Sequence, residues 1–79
     1  MSTALIYTKN HCPYCNYAKA LLDDKGVSYQ EINIDHAADR DAVLREIKSL
    51  TDMRTFPQIV LDGKHVGGYT DLCEHYANS

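Results

Sequence analysis

Cys12-Pro13-Tyr14-Cys15 is the stretch of this 79-residue chain whose residue types and spacing suit covalent chemistry. A cysteine attacks as its thiolate, and an unperturbed thiol, with a pKa of about 8.5, is ionised only slightly at neutral pH. Proline directly after Cys12 fits the first position of a helix, where its missing N–H removes no bond. A helix start presents unpaired N–H groups and about half a positive charge, which favours a sulfur anion just ahead of it. Residues 1–22 contain Lys9 and Lys19 and no carboxylate, so they carry +2 in a chain of net charge −3, and the remainder carries −5. The positive end is therefore expected around the thiols. Spacing divides the roles. Cys12, ahead of the helix, is expected to be exposed and nucleophilic. Cys15, one turn in, is expected to be more covered and close enough to attack a mixed disulfide on Cys12. Such a pair cycles between dithiol and disulfide.

The other readings of these cysteines are weaker. A disulfide closing so short a loop restrains little of the unfolded chain, which argues for reactivity over reinforcement. Zinc would need Cys12, Cys15, Cys73 and His75, but the second pair has one intervening residue where such sites use two to four. No metal site is expected.

The elements that must hold the pair follow from local pattern. Thr3 to Thr8 is a strand with an apolar stretch that expects burial on both faces. Pro13 opens a helix on which Tyr14, Tyr17, Ala18, Leu21 and Leu22 recur at helical spacing, and Gly26 ends it. Val27 to Asp35 reads as a second strand, covered on both sides. Asp39 is expected to cap a second helix with Val43, Ile47 and Leu50 on its buried stripe. Gln58 to Leu61, Asp62-Gly63 and Lys64 to Val66 form a hairpin signal. Gly67-Gly68 breaks it, and Thr70 is the expected cap of a short last helix carrying Leu72 and Tyr76. The order is βαβαββα. A right-handed first crossover makes a parallel pair, and the hairpin adds antiparallel strands, so a four-stranded mixed sheet flanked by helices is expected.

Composition excludes other classes. With 44% hydrophobic and 24% charged residues the chain is globular in character, and residues 1–79 read as one domain. The acidic balance lacks a basic cluster for nucleic acid. The longest apolar runs, such as Ala4-Leu5-Ile6-Tyr7, fall far short of the roughly 20 residues needed to span a bilayer. No signal peptide is expected, and the chain reads as soluble and cytoplasmic.

Three motifs in order are together similar to a dithiol glutaredoxin of the Cys-Pro-Tyr-Cys type. They are Tyr7-Thr8-Lys9 leading into that tetrapeptide, Thr55-Phe56-Pro57-Gln58-Ile59, and Gly67-Gly68-Tyr69-Thr70-Asp71. The resemblance runs from Thr3 to Leu72 and implies an α/β thioredoxin fold. It also implies glutathione as reducing co-substrate, with no tightly bound cofactor. By the same resemblance Cys12 is the nucleophile and Cys15 the resolving thiol. Lys9 meets the glycine carboxylate of glutathione and favours the thiolate, and Tyr14 lies against the tripeptide. Pro57 resembles the family's cis-proline, which turns the Phe56 backbone toward an extended peptide. Thr70 and Asp71 open the last helix, where the γ-glutamyl carboxylate and ammonium bind. The chain departs from the family in having Phe56 where an aliphatic residue is usual, and in replacing a glutamine of the second helix near Leu44-Arg45, with Arg45 and Arg54 the nearest candidates for its role.

The resemblance thus implies a glutathione-dependent thiol–disulfide oxidoreductase. It would reduce protein disulfides and protein–glutathione mixed disulfides as a monomer, with ribonucleotide reductase among candidate partners. Two alternatives are a redoxin fed by thioredoxin reductase that donates to ribonucleotide reductase, and a carrier of a glutathione-ligated iron–sulfur cluster. The remaining candidates have plainer roles. Cys73 is expected to be a partly buried structural thiol, His11 a neighbour of Cys12 without a direct role, and His36, His65 and His75 solvated surface. Most of the six tyrosines are expected to pack, with Tyr14 and Tyr69 the two that have a functional case.

Overall fold

The computed structural model describes residues 3–78. Its elements follow the expected order: β1 (Thr3–Thr8), α1 (Pro13–Asp24), β2 (Ser28–Asn33), α2 (Arg40–Leu50), β3 (Gln58–Leu61), β4 (Lys64–Gly67) and α3 (Tyr69–Ala77). The sheet order is β2-β1-β3-β4. β1 runs parallel to β2 from Thr3 opposite Ser28 to Thr8 opposite Asn33, and antiparallel to β3, with Ile6 opposite Ile59 and Tyr7 opposite Gln58. β3 and β4 pair antiparallel across the Asp62–Gly63 turn. Both turn residues have positive φ, 49° and 83°, as a two-residue turn matched to strand twist requires.

Side-chain alternation divides the interior between the two faces of the sheet. Ala4, Ile6, Ile59 and Leu61 meet Ala18 and Leu22 of α1 and Leu72 of α3. Tyr7 and Val60 meet Val43 and Ile47 of α2 and Ile34. The helices therefore cover both faces of β1 and β3, which leaves Ile6, Tyr7, Thr8 and Ile59 all at or below 2% exposure. α2 begins as expected, with Asp39 Oδ1 accepting the Ala42 N–H at 3.0 Å.

Four expectations are corrected. β2 is shorter than Val27–Asp35 and is not covered on both sides: it is an edge strand with Ser28, Gln30 and Glu31 exposed. It stops where the Asn33 side chain accepts the Asp35 N–H at 2.9 Å, a local bond that turns the backbone out of the ladder. Leu50 is 38% exposed because α2 ends there, beyond the reach of the sheet. Tyr17 is 55% exposed, since α1 turns Cys15, Ala18 and Leu22 inward instead. α3 is capped by Gly68 and not Thr70, because Asp71 in the first turn reaches back to accept the Gly68 N–H at 2.9 Å. No helix among the described residues is long and apolar enough to cross a membrane.

Burial at Ile59 and exposure at Leu50 predict opposite outcomes for the same kind of truncation. Ile59→Ala should lower unfolding free energy by about 2–5 kcal/mol, whereas Leu50→Ala should stay within about 0.5 kcal/mol. Urea denaturation of the two variants measures both.

Candidate active site

β1 hands over to α1 through a short loop, and the chemistry sits at that junction. Cys12 has extended backbone (φ −120°, ψ 94°) and caps α1 with its own sulfur, which accepts the Cys15 N–H at 3.2 Å. Cys12 and Cys15 are joined as a disulfide with Cα atoms 5.3 Å apart. Sequence reasoning expected an exposed Cys12, but a capping side chain folds over the first turn, and Cys12 is 8% exposed against 2% for Cys15. The expected ordering holds. In the reduced pair the same N–H is placed to donate to a Cys12 thiolate, a charge-assisted bond added to the field of the helix start. The first turn holds no acidic residue to compete for that position.

The loop before Cys12 is held from the neighbouring strand end. The Asn10 N–H donates to Asp35 Oδ2 at 2.8 Å, and Asn33 Nδ2 donates to Asn10 Oδ1 at 3.2 Å. Arg40 closes on the other Asp35 oxygen at 2.8 Å. His11 follows with φ 56°, a left-handed backbone uncommon for a residue with a side chain, and its exposed ring leaves the turn itself as its contribution. Sequence reasoning missed Asn10, Asn33 and Asp35. The signal was the Asn33-Ile34-Asp35 spacing, an Asx turn just past a strand.

The expected positive end is partly neutralised. Lys19 pairs with Glu31 at 3.1 Å, and Glu31 also accepts the buried Thr8 hydroxyl at 2.6 Å. Lys9 instead has its ammonium 5.7 Å from the centre of the Phe56 ring. A cavity of about 700 Å³ brings Lys9, Cys12, Cys15, Lys19 and Glu31 together. Phe56 lies outside it, at the edge of a second cavity of about 550 Å³ shared with Arg54, Leu44 and Met53.

The other expected site residues gather at the start of α3. The Phe56–Pro57 bond is cis and Pro57 is buried. A Cβ on Gly68 would stand 3.5 Å from the Pro57 carbonyl oxygen, so the two segments are in contact. Tyr69 joins this region to α1, with its ring centre 5.9 Å from those of Tyr14 and Tyr17. Thr70 is exposed and Asp71 half-buried. Cys73 is free and half-buried, one turn beyond Tyr69, whose phenol pKa is raised first by its hydrogen bond with the Cys73 thiol.

A family model described as Glutaredoxin matches residues 4–66 of this chain. The chain belongs to the glutaredoxin family. Among its relatives, Glutaredoxin 1 of Rickettsia bellii is 51% identical over 69 residues, covering 86% of this chain and 70% of that protein. Glutaredoxin 3 of Escherichia coli K12 is 48% identical over 73 residues, covering 91% and 83%. The crystal structure of a buckwheat glutaredoxin–glutathione complex superposes with a TM-score of 0.87 at 32% identity, over 98% of this chain and 70% of that one. The four-stranded mixed sheet is the thioredoxin fold of these glutaredoxins, and this glutaredoxin is a thiol–disulfide oxidoreductase.

Two carboxylates of the glutaredoxin site titrate below their ordinary range. Glu31 is lowered first by the Thr8 hydroxyl and then by Lys19, and Asp35 first by the Asn10 N–H and then by Arg40. A depressed carboxyl contributes stability above its unfolded pKa and loses it as pH falls through the folded value. Asp35→Asn should therefore be less stable than the parent at neutral pH, with the gap closing below about pH 4, as urea midpoints taken against pH will show. At the other end, Gly67 has φ 124°, and a Cβ there would come within 2.7 Å of Asp71 Cγ. Gly67→Ala should displace Asp71, uncap α3 and lower stability by at least about 1 kcal/mol in thermal or urea unfolding.

Proposed function

We propose that this glutaredoxin is a glutathione-dependent oxidoreductase that reduces protein disulfides and protein–glutathione mixed disulfides, with Cys12 as nucleophile and Cys15 as resolving thiol. The observation that carries the assignment of roles is the Cys15 N–H aimed at Cys12 Sγ at the start of α1. It favours the anion on Cys12, the more exposed of the two residues.

The reaction begins when the Cys12 thiolate attacks one sulfur of the substrate disulfide, forming a mixed disulfide and releasing the other sulfur as a thiol. Where the substrate is a protein disulfide, the Cys15 thiol loses its proton and attacks Cys12, freeing the second substrate thiol and leaving the Cys12–Cys15 disulfide. One glutathione thiolate opens that bond to give a Cys12–glutathione adduct, and a second displaces it as oxidised glutathione. Two electrons pass from two glutathiones to one disulfide. Where the substrate is already a glutathione mixed disulfide, Cys12 alone suffices.

Several features support glutathione as the reductant. The buckwheat relative carries it in its crystal structure. Lys9, which lines the same cavity as Cys12 and Cys15, offers a cation for the glycine carboxylate, and Phe56 and Pro57 offer backbone for the extended tripeptide. As the first turn of a helix, the start of α3 presents backbone N–H groups, Thr70 among its residues, for the γ-glutamyl carboxylate, and the Asp71 carboxylate for its ammonium. Tyr14 supplies an exposed ring beside that helix start.

Cys15→Ser should keep the reduction of a glutathionylated protein and lose that of an internal disulfide, and Cys12→Ser should lose both. Full activity in Cys12→Ser would overturn the roles. NADPH consumption by the oxidised protein with glutathione and glutathione reductase, compared with thioredoxin reductase alone, tests the electron source, and turnover with the second system only would overturn glutathione dependence.

A further inference from the structure

His65, expected on the sequence to be solvated surface, is half-buried and hydrogen-bonded to the interior. Its Nε2 lies 2.8 Å from Oε1 of Gln58, a side chain with no solvent exposure. The placement follows from strand register. His65 stands opposite Val60, so it shares a face of the sheet with Val60 and, two residues back, with Gln58. Just beyond, the register shifts by one residue between Ile59 and Val60, and β4 continues into Gly67 and the start of α3.

The other end of Gln58 is also committed. Its Nε2 donates to the Thr55 carbonyl at 2.8 Å and approaches Thr55 Oγ1 at 3.4 Å. The amide therefore closes a clamp across Thr55–Phe56–Pro57–Gln58, the segment that carries the cis bond and the ring facing Lys9. With the Gln58 nitrogen spent on Thr55, its oxygen has to be the acceptor, and His65 has to donate through Nε2–H. Both the neutral Nε2–H tautomer and the imidazolium do so, and the clamp survives either state.

We infer that His65 is a positioning residue of the reaction: its Nε2–H orients the buried Gln58 amide, which in turn holds Thr55–Phe56–Pro57 in place for glutathione. The inference rests on the reading that glutathione lies along Phe56 and Pro57. Without the donor, Gln58 Oε1 is a buried acceptor left unpaired, and the amide is free to turn away from Thr55. Among the described residues no side-chain hydrogen bond joins His65, Gln58 or Thr55 to Cys12, so the reactivity of Cys12 itself should be unchanged.

The test uses the full chain with a glutathionylated protein, glutathione, glutathione reductase and NADPH. His65→Leu should raise KM for the glutathionylated substrate about three- to tenfold, the range that a lost buried hydrogen bond supports. kcat and the rate of Cys12 alkylation by iodoacetamide should stay within about twofold. His65→Gln carries an N–H near the position of imidazole Nε2 and should restore KM. A Leu variant with unchanged KM, or a Gln variant as impaired as Leu, overturns the inference. Should His65→Leu fail to fold, His65→Leu/Gln58→Met removes donor and acceptor together, and its KM should rise as described; an unchanged KM there overturns the inference equally. If the parent protein itself does not turn over with glutathione, the proposed reductant is at fault, and amide NMR shifts of Thr55, Phe56 and Gln58 decide the clamp separately. Shifts that move in His65→Leu and return in His65→Gln support it, and shifts that do not move overturn it.

Discussion

The Cys15 N–H that donates to Cys12 Sγ is the contact around which the rest of this molecule is arranged. It requires a helix that starts within one residue of the sulfur, and Pro13 at the first helical position supplies that start without leaving a donor unmet. The helix must in turn be anchored so that its first turn does not fray. Ala18 and Leu22 do this by entering the same interior as Ile6, Ile59 and Leu72. Burial of β1 from both sides thus bears directly on the chemistry, because it fixes the strand end from which the loop to Cys12 departs.

Two further arrangements join segments that lie far apart in the chain. One is the loop support by Asp35, which accepts the Asn10 N–H and is itself held by Arg40. The other is the meeting of the Pro57 segment with the start of α3, where Gly68 lies close to the Pro57 carbonyl and Asp71 ties back to the Gly68 N–H. Gly67 permits the second arrangement, since its positive φ and missing Cβ leave space that the Asp71 side chain occupies. The His65–Gln58–Thr55 clamp belongs to the same side and ties the hairpin to the Pro57 segment.

Charge is distributed more subtly than the linear sequence indicates. The first 22 residues carry only cations, yet Lys19 is matched by Glu31 on the adjacent parallel strand, and Thr8 adds a hydrogen bond to the same carboxylate. Lys9 is left as the cation closest in sequence to the thiols, resting near the Phe56 ring. Stabilisation of a sulfur anion therefore leans on the helix start and its Cys15 N–H more than on a general positive field.

Most of the fold was legible because it is written in local pattern: apolar runs for β1 and β3, the Asp62–Gly63 turn, Pro13 and Asp39 at helix starts, and helical spacing at Ala18, Leu22, Val43 and Ile47. The reactive pair was legible for the same reason, since Cys12 and Cys15 lie one turn apart on a single element. Errors arose where an end or a face depends on what lies across from it. Leu50 fits the stripe of α2 but has no sheet beneath it, and Thr70 looks like a cap until Asp71 and Gly68 form the bond that starts α3 two residues earlier. By itself the sequence determined the elements, their order and the chemistry of the cysteines, because each follows from residues within a few positions of one another. Only the tertiary structure decided that Glu31 neutralises Lys19, that Asp35 holds the loop at Asn10, and that His65 grips Gln58. These are pairings across strands and loops far apart in the chain, and register and packing select them where no local preference can.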